Sequence, residues 1–136
     1  MTTVREIMTA DVKTVRPEQT IYDAMVLLRE LKARHLPVVD GGGKLVGLVT
    51  DRDIKRATPS VLLDDRQRFE TTIRETPLER IMARRLITIG PEQSFQEALD
   101  AFAEEAIGCL PVVDGEALVG IVTSTDMFRT MRKLLA

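Results

Sequence analysis

The feature that most constrains this chain is an internal repeat. Residues 36–40 read Leu-Pro-Val-Val-Asp, and residues 110–114 repeat the same five residues. Residues 7–41 align with residues 81–115 without a gap and with 14 identical positions, and residues 45–56 align with residues 118–129. Self-similarity over this length predicts one supersecondary unit used twice, with paired sites in equivalent positions.

Each copy is predicted to fold as a β-α-β-β-α unit, so the fold class is α+β. Thr20 and Asp23 have the spacing of a capping box before a run of helical apolar periodicity, and Ser94 and Glu97 repeat it. Gly41–Gly43 separates two runs rich in β-branched residues, as a hairpin turn does. We expect strands over residues 36–40, 45–49, 110–114 and 118–122, and short extended stretches over residues 13–15 and 87–89.

The repeat also predicts the domain organisation. Residues 1–57 form the first repeat, residues 58–76 a connector, and residues 77–136 the second repeat. The connector is expected to be a loop with a short helix. Apolar residues at Met127, Phe128, Met131, Leu134 and Leu135 predict an amphipathic C-terminal helix, whose apolar face packs on the body of the protein or on a second subunit.

Composition argues against several functional classes. The net charge is −2, from 19 basic and 21 acidic residues, and the aromatic residues are four phenylalanines and one tyrosine. A nucleic-acid binder normally shows a basic stripe or an aromatic stacking platform, and neither is visible. No apolar run approaches the ~18 residues of a membrane span, and the N-terminus lacks an apolar signal core. The single cysteine cannot form an internal disulfide, so we expect a cytoplasmic protein.

Two equivalent motifs carry the candidate chemistry. They read Gly47-x-x-Thr50-x-x-Asp53 and Gly120-x-x-Thr123-x-x-Asp126, each where a predicted strand runs into a helix. Free backbone N–H groups at a helix start suit phosphate, and a carboxylate one turn in can accept two hydrogen bonds from a ribose diol. Glycine permits close approach of the backbone. The same Thr-x-x-Asp spacing is also a plain capping box, and the two roles are compatible.

At this point the residues resemble a known family. The double pattern is similar to a tandem pair of cystathionine-β-synthase (CBS) domains, a Bateman module. It most closely resembles the acetoin-utilisation AcuB type, through the runs Arg34-His35-Leu36-Pro37, Thr50-Asp51-Arg52-Asp53 and Ile107-Gly108-Cys109-Leu110-Pro111. Proteins of that type often carry a further C-terminal ligand-binding domain. The sequence ends at Ala136, so we expect the sensor module alone.

The resemblance implies two β-α-β-β-α units that pack through their sheets with pseudo-two-fold symmetry and enclose two clefts. It also implies a homodimer and an adenosine-containing ligand: AMP, ADP or ATP, or sometimes S-adenosylmethionine or NAD. One cleft would hold Arg34, His35, Thr50, Arg52, Asp53 and Thr88, and the other Thr14, Cys109, Thr123, Thr125 and Asp126. Pro37 and Pro111 are counted with the ligand-binding residues.

The two motifs differ in charge. Arg34, His35 and Arg52 align with Gly108, Cys109 and Thr125. Because phosphate prefers bidentate arginine donors, we expect the Asp53 cleft to favour the more highly phosphorylated ligand. The alternative is that both arginines are solvated surface charges.

Three functions compete for this sequence. The first is a regulatory module that senses adenine nucleotide and acts through dimer shape or through an unidentified protein partner. The second is a dimerisation scaffold without bound nucleotide. An enzyme is disfavoured because His35 is the single histidine and Cys109 is expected to be a buried small apolar side chain. We expect no catalytic residues, no metal site and no required cofactor, although a nucleotide could bring Mg²⁺ with it.

Overall fold

Each repeat contains an antiparallel strand pair flanked by helices. The computed structural model describes residues 1–59 and 66–136. The helices are α1 (Val4–Ile7), α2 (Ile21–Leu31), α3 (Asp51–Ala57), α4 (Arg66–Glu75), α5 (Phe95–Glu105) and α6 (Ser124–Leu134), and Leu78–Arg80 forms a 3₁₀ turn. The strands are β1 (His35–Val39), β2 (Leu45–Thr50), β3 (Cys109–Asp114) and β4 (Ala117–Thr123). The predicted α+β class and the duplicated unit are confirmed.

The two strand pairs have the same register. In β1–β2, His35 lies opposite Thr50, and in β3–β4, Cys109 lies opposite Thr123. The predicted strands are therefore correct to within one residue at each end. The predicted extended stretches contribute one parallel bridge each, Val15 to Val38 and Ile89 to Val112.

Each parallel bridge includes a hydrogen bond to the carbonyl of a proline inside the strand pair. A proline has no N–H to donate, so it is usually confined to strand starts and edges. Here the carbonyl of Pro37 accepts a hydrogen bond from the Val15 N–H at 3.0 Å, and the carbonyl of Pro111 accepts one from the Ile89 N–H at 3.1 Å. Both prolines are fully buried.

The chain divides into two compact units that do not follow the repeat boundaries. One unit contains residues 13–86, and the other contains residues 1–12 together with residues 87–136. We call them the 13–86 unit and the 87–136 unit. Thr9 bridges to Ile121, whereas Ala83, its aligned equivalent, bridges to Leu48. The leading segment of each repeat therefore pairs with the strands of the other repeat.

Each unit has its own apolar core, and seven positions of the two cores are aligned. The core of the 13–86 unit consists of Val15, Ile21, Ala24, Leu28, Leu36, Val38, Val49, Ile54, Ile73, Leu78 and Met82. The core of the 87–136 unit consists of Val4, Ile89, Ala98, Leu110, Val112, Val122 and Met127. In each core the leading segment supplies a fully buried side chain, Leu78 in the first and Val4 in the second.

A methionine of each leading segment lies against a glycine of the paired strand. A Cβ atom on Gly47 would lie 2.5 Å from Met82 Sδ, and one on Gly120 would lie 2.5 Å from Met8 Sδ. Backbone carbonyls are also close, at 3.2 Å for Ala83 and 3.0 Å for Thr9. The close approach that these glycines permit is thus made by the protein's own chain.

The connector contains the predicted short helix. In α4, Ile73 is buried in the core of the 13–86 unit, and the Arg74 guanidinium lies 4.2 Å from the centre of the Tyr22 ring. Residues 60–65 of the connector lie outside the described residues. Across residues 1–59 and 66–136, no helix has the length and apolar character needed to cross a bilayer.

Candidate functional site

The first Gly-x-x-Thr-x-x-Asp motif, which we call the first frame (Gly47–Asp53), forms a complete capping box. Thr50 ends β2 in an extended conformation and is the N-cap of α3. Its N–H donates to Asp53 Oδ2 at 2.9 Å, and the Asp53 N–H donates back to Thr50 Oγ1 at 3.1 Å. Two backbone donors at the start of α3 are thereby satisfied.

The second frame (Gly120–Asp126) repeats this arrangement with one additional bond. The Thr123 N–H donates to Asp126 Oδ2 at 2.8 Å, and the Asp126 N–H donates to Thr123 Oγ1 at 3.4 Å. The Thr123 hydroxyl also donates to Asp126 Oδ2 at 3.1 Å. The capping interpretation is therefore confirmed in both frames, and it leaves one carboxylate oxygen of each aspartate for other partners.

That remaining oxygen has different surroundings in the two frames. Within residues 1–59 and 66–136, no hydrogen bond or ion pair engages Asp53 Oδ1. Asp126 Oδ1 lies 3.9 Å from Nη1 of Arg129, one helical turn further along α6. The sequence interpretation missed Arg129. The signal that could have found it is the i, i+3 spacing from Asp126, which places the two side chains on one helix face.

His35 is half-buried at the start of β1, opposite Thr50. Burial lowers the pKa of His35, the charge of Arg34 acts in the same direction, and Asp51 and Asp53 act against both. A backbone hydrogen bond links two of these neighbours: the Asp51 N–H donates to the Arg34 carbonyl at 3.1 Å. The surroundings of the first frame therefore combine a neutral imidazole at pH 7 with two exposed guanidinium groups, on Arg34 and Arg52.

Beside the second frame, a buried thiol takes the place that the imidazole has beside the first. Cys109 starts β3 opposite Thr123, and burial raises the pKa of its thiol to about 12. A thiol with that pKa is protonated at neutral pH and is a poor nucleophile. Cys109 is therefore a small apolar side chain, as the sequence predicted.

The structure separates the predicted site residues into two groups. Arg34, His35, Pro37, Thr50, Arg52 and Asp53 lie in the 13–86 unit, and Cys109, Pro111, Thr123, Thr125 and Asp126 lie in the 87–136 unit. Thr14 is half-buried and belongs to the 13–86 unit, whereas Thr88 is exposed and belongs to the 87–136 unit. Each of these threonines is thus in the other unit from the frame to which the sequence assigned it.

Acidic and metal-ligating side chains do not cluster in the part of the chain that the structure describes. No group of three or more histidine, cysteine, aspartate or glutamate side chains there could hold a metal ion. The aspartates of both frames are instead engaged as helix caps.

A family model for the CBS domain matches the chain twice, over residues 4–60 and 78–133. The matched segments contain both frames and both Leu-Pro-Val-Val-Asp runs. The share of each curated relative that is matched differs widely. It is 84% for the CBS domain-containing protein YhcV of Bacillus subtilis, but the chain spans only 24% of the homoserine O-acetyltransferase of Methanohalobium evestigatum.

Three solved structures are similar to the chain over nearly its whole length. The first, assigned to acetoin utilization (AcuB) in Vibrio cholerae, is 33% identical, with a TM-score of 0.83 over 99% of this chain and 93% of that one. CBSX2 in complex with AMP is 26% identical, with a TM-score of 0.83 over 100% of both chains. The CBS domain pair of MJ0100, in complex with 5′-methylthioadenosine and S-adenosyl-L-methionine, is 30% identical, with a TM-score of 0.81 over 98% of both chains.

Proposed function

The chain belongs to the CBS-domain family, and on that premise we propose that it is a regulatory module that binds an adenosine-containing nucleotide at its two frames. CBS domain pairs commonly bind adenosine ligands, and two of the similar structures carry AMP or S-adenosyl-L-methionine.

The observation that carries the proposal is the carboxylate geometry of the first frame. Asp53 uses Oδ2 for the helix cap and leaves Oδ1 without a partner among the described residues. A carboxylate oxygen in this position can accept hydrogen bonds from the two adjacent hydroxyls of a ribose, as acidic residues do in dinucleotide-binding folds. Asp126 has the same cap geometry in the second frame, so we propose that both aspartates bind the ribose.

The charges around the first frame favour a ligand with several phosphates. Arg34 and Arg52 are exposed, so their guanidinium groups are available to a phosphate, for which arginine is a bidentate donor. We expect Arg34→Ala and Arg52→Ala to weaken ADP and ATP more than adenosine. Any Mg²⁺ would enter with the nucleotide.

A regulatory role requires that the ligand bind two arrangements of the protein with different affinities. We propose that the module acts in the cytoplasm as a homodimer and passes this difference to a protein partner. Two large apolar side chains near the C-terminus are exposed, Leu134 at 57% and Leu135 at 85%, and they support association with a second subunit.

A thermal-shift panel with AMP, ADP, ATP, S-adenosylmethionine and NAD tests the proposal. A ligand at 100 times its dissociation constant stabilises the folded protein by about 2.7 kcal/mol. Asp53→Asn and Asp126→Asn keep an oxygen for the cap but remove the negative charge, so we expect both variants to lose part of the ligand-induced shift. Asp23→Asn is the matched control, because Asp23 forms the same capping box with Thr20 outside the frames.

The panel separates the proposal from its competitors. A shift in the wild type and in Asp23→Asn, reduced in the two frame variants, supports nucleotide binding at the frames. Absence of a shift with every ligand at millimolar concentration favours a dimerisation scaffold. Release of phosphate from ATP in the same samples would indicate an enzyme.

A further inference from the structure

The exposed face of α6 carries a depression of about 330 Å³ in the 87–136 unit. It is lined by Thr125, Phe128, Arg129 and Arg132. Phe128, Arg129 and Arg132 lie three, four and seven positions after Thr125, so the four residues form one stripe on the helix. The lining combines one hydroxyl and two guanidinium groups, which can donate hydrogen bonds to an anion, with one aromatic ring, which offers an apolar surface.

This depression begins at the second frame. Arg129 both lines it and lies 3.9 Å from Asp126 Oδ1. The Arg129 side chain is 58% exposed, and an ion pair so exposed to solvent is worth little, so the guanidinium can turn to a stronger partner at small cost. A doubly charged phosphate is such a partner, and Arg129 would also offset its repulsion from the Asp126 carboxylate.

The first repeat has a different stripe at the aligned positions. The residues aligned with Thr125, Phe128 and Arg129 are Arg52, Lys55 and Arg56. At the position of Arg132 the first repeat has Pro59, beyond the end of α3, which has seven residues compared with eleven in α6. An arginine at the position of Arg132 is therefore found only in the second repeat.

We propose that Thr125, Arg129 and Arg132 form a phosphate subsite on α6 for the ligand whose ribose is held by Asp126. The subsite rests on the proposed function and specifies that the ligand of the second frame carries phosphate. The second frame lacks arginines at the positions that align with Arg34 and Arg52. Those two arginines precede Asp53 in the sequence, whereas Arg129 and Arg132 of α6 follow Asp126. The first frame thus has one arginine before β1 and one on α3, whereas the second frame has all of its proposed donors on α6.

Isothermal titration with AMP and with adenosine tests this assignment. The first frame is silenced by Asp53→Asn, and Arg129→Gln or Arg132→Gln is added to that background. Each charge-assisted hydrogen bond to phosphate is worth enough that either change should weaken AMP by about tenfold. Adenosine, which lacks the phosphate, should bind within about twofold of the background protein. Arg56→Gln in the same background is the matched control and should leave both ligands unchanged.

The outcomes distinguish this inference from the proposed function. If AMP and adenosine bind the background protein and Arg129→Gln and Arg132→Gln leave AMP unchanged, the α6 subsite is wrong while nucleotide binding stands. Tighter AMP binding by Arg129→Gln would also overturn it, because Arg129 would then compete for Asp126. If neither ligand binds the wild type, the proposed function itself fails. Circular dichroism of each variant verifies folding, and both arginines are exposed.

Discussion

At the scale of single residues, burial and neighbouring charges both act on His35, which lies beside the first frame. Its imidazole is half-buried beside Thr50, and burial lowers its pKa below the ordinary value of 6.5. The folded protein therefore binds this proton less readily than the unfolded chain does. The resulting stability is complete above pH 6.5 and is lost as the pH falls below that value through the lowered pKa of the folded state.

We predict that His35→Gln flattens the pH dependence of stability between pH 7.5 and 5.5. The wild type must protonate a partly buried imidazole as the pH falls, whereas glutamine does not titrate. Urea midpoints at both pH values measure the effect, and the wild type should lose more stability than the variant. His35 is the only histidine, so no other imidazole contributes. Equal losses in the two proteins would show that His35 has the same proton affinity in both states.

The residue scale also shows what the sequence could and could not predict about the site. Thr50, Asp53, Thr123 and Asp126 were found because a capping box is a local pattern with fixed spacing. The approach of Arg129 to Asp126 depends on the direction in which a long side chain leaves the helix, and spacing alone leaves that open. The charge state of His35 depends on burial by residues distant in sequence.

At the scale of elements, each strand that leads into a frame is fixed by the segment that starts the opposite repeat. The Leu48 N–H donates to the Ala83 carbonyl at 3.0 Å, and the Ala83 N–H donates to the Leu48 carbonyl at 2.9 Å. Met82 covers Gly47 beside this bridge. The sequence predicted a close backbone approach at Gly47 and Gly120, but a single sequence does not show which atoms approach.

We predict that Gly47→Ala and Gly120→Ala destabilise the protein by about 1–3 kcal/mol through overpacking. The new Cβ would lie 2.5 Å from a methionine sulfur, and a backbone carbonyl behind it limits relaxation. Gly42→Ala is the control, because its Cβ would meet only Asp40 Oδ1, at 3.5 Å. Urea denaturation measures all three variants, and a loss for Gly42→Ala as large as for the other two would contradict the packing explanation.

A double-mutant cycle identifies the obstacle. If Met82 causes the clash, Met82→Ala and Gly47→Ala together should cost less than the sum of the single changes, with a coupling of about 0.5–3 kcal/mol. Additive losses would assign the clash to the Ala83 carbonyl. The equivalent cycle with Met8 and Gly120 tests the second repeat.

At the scale of the whole molecule, the repeats and the compact units divide the chain differently. The alignment shows that residues 4–9 resemble residues 78–83, but it does not show with which strands each segment pairs. The fold class and the strands could be predicted because apolar periodicity and turn residues are local signals. The exchange of leading segments could not, because it is a long-range pairing in which two similar segments could each pair with either repeat.

This exchange predicts where each core substitution acts. Val4 and Leu78 are aligned, and both are fully buried, yet Val4 belongs to the core of the 87–136 unit and Leu78 to that of the 13–86 unit. Leu78→Ala should cost about 2–5 kcal/mol. Val4→Ala should cost less, because it removes one carbon atom fewer.

Hydrogen exchange followed by mass spectrometry locates the loss of stability. Val4→Ala should reduce protection first in β3 and β4, and Leu78→Ala should reduce it first in β1 and β2. The opposite pattern would mean that each leading segment packs within its own repeat.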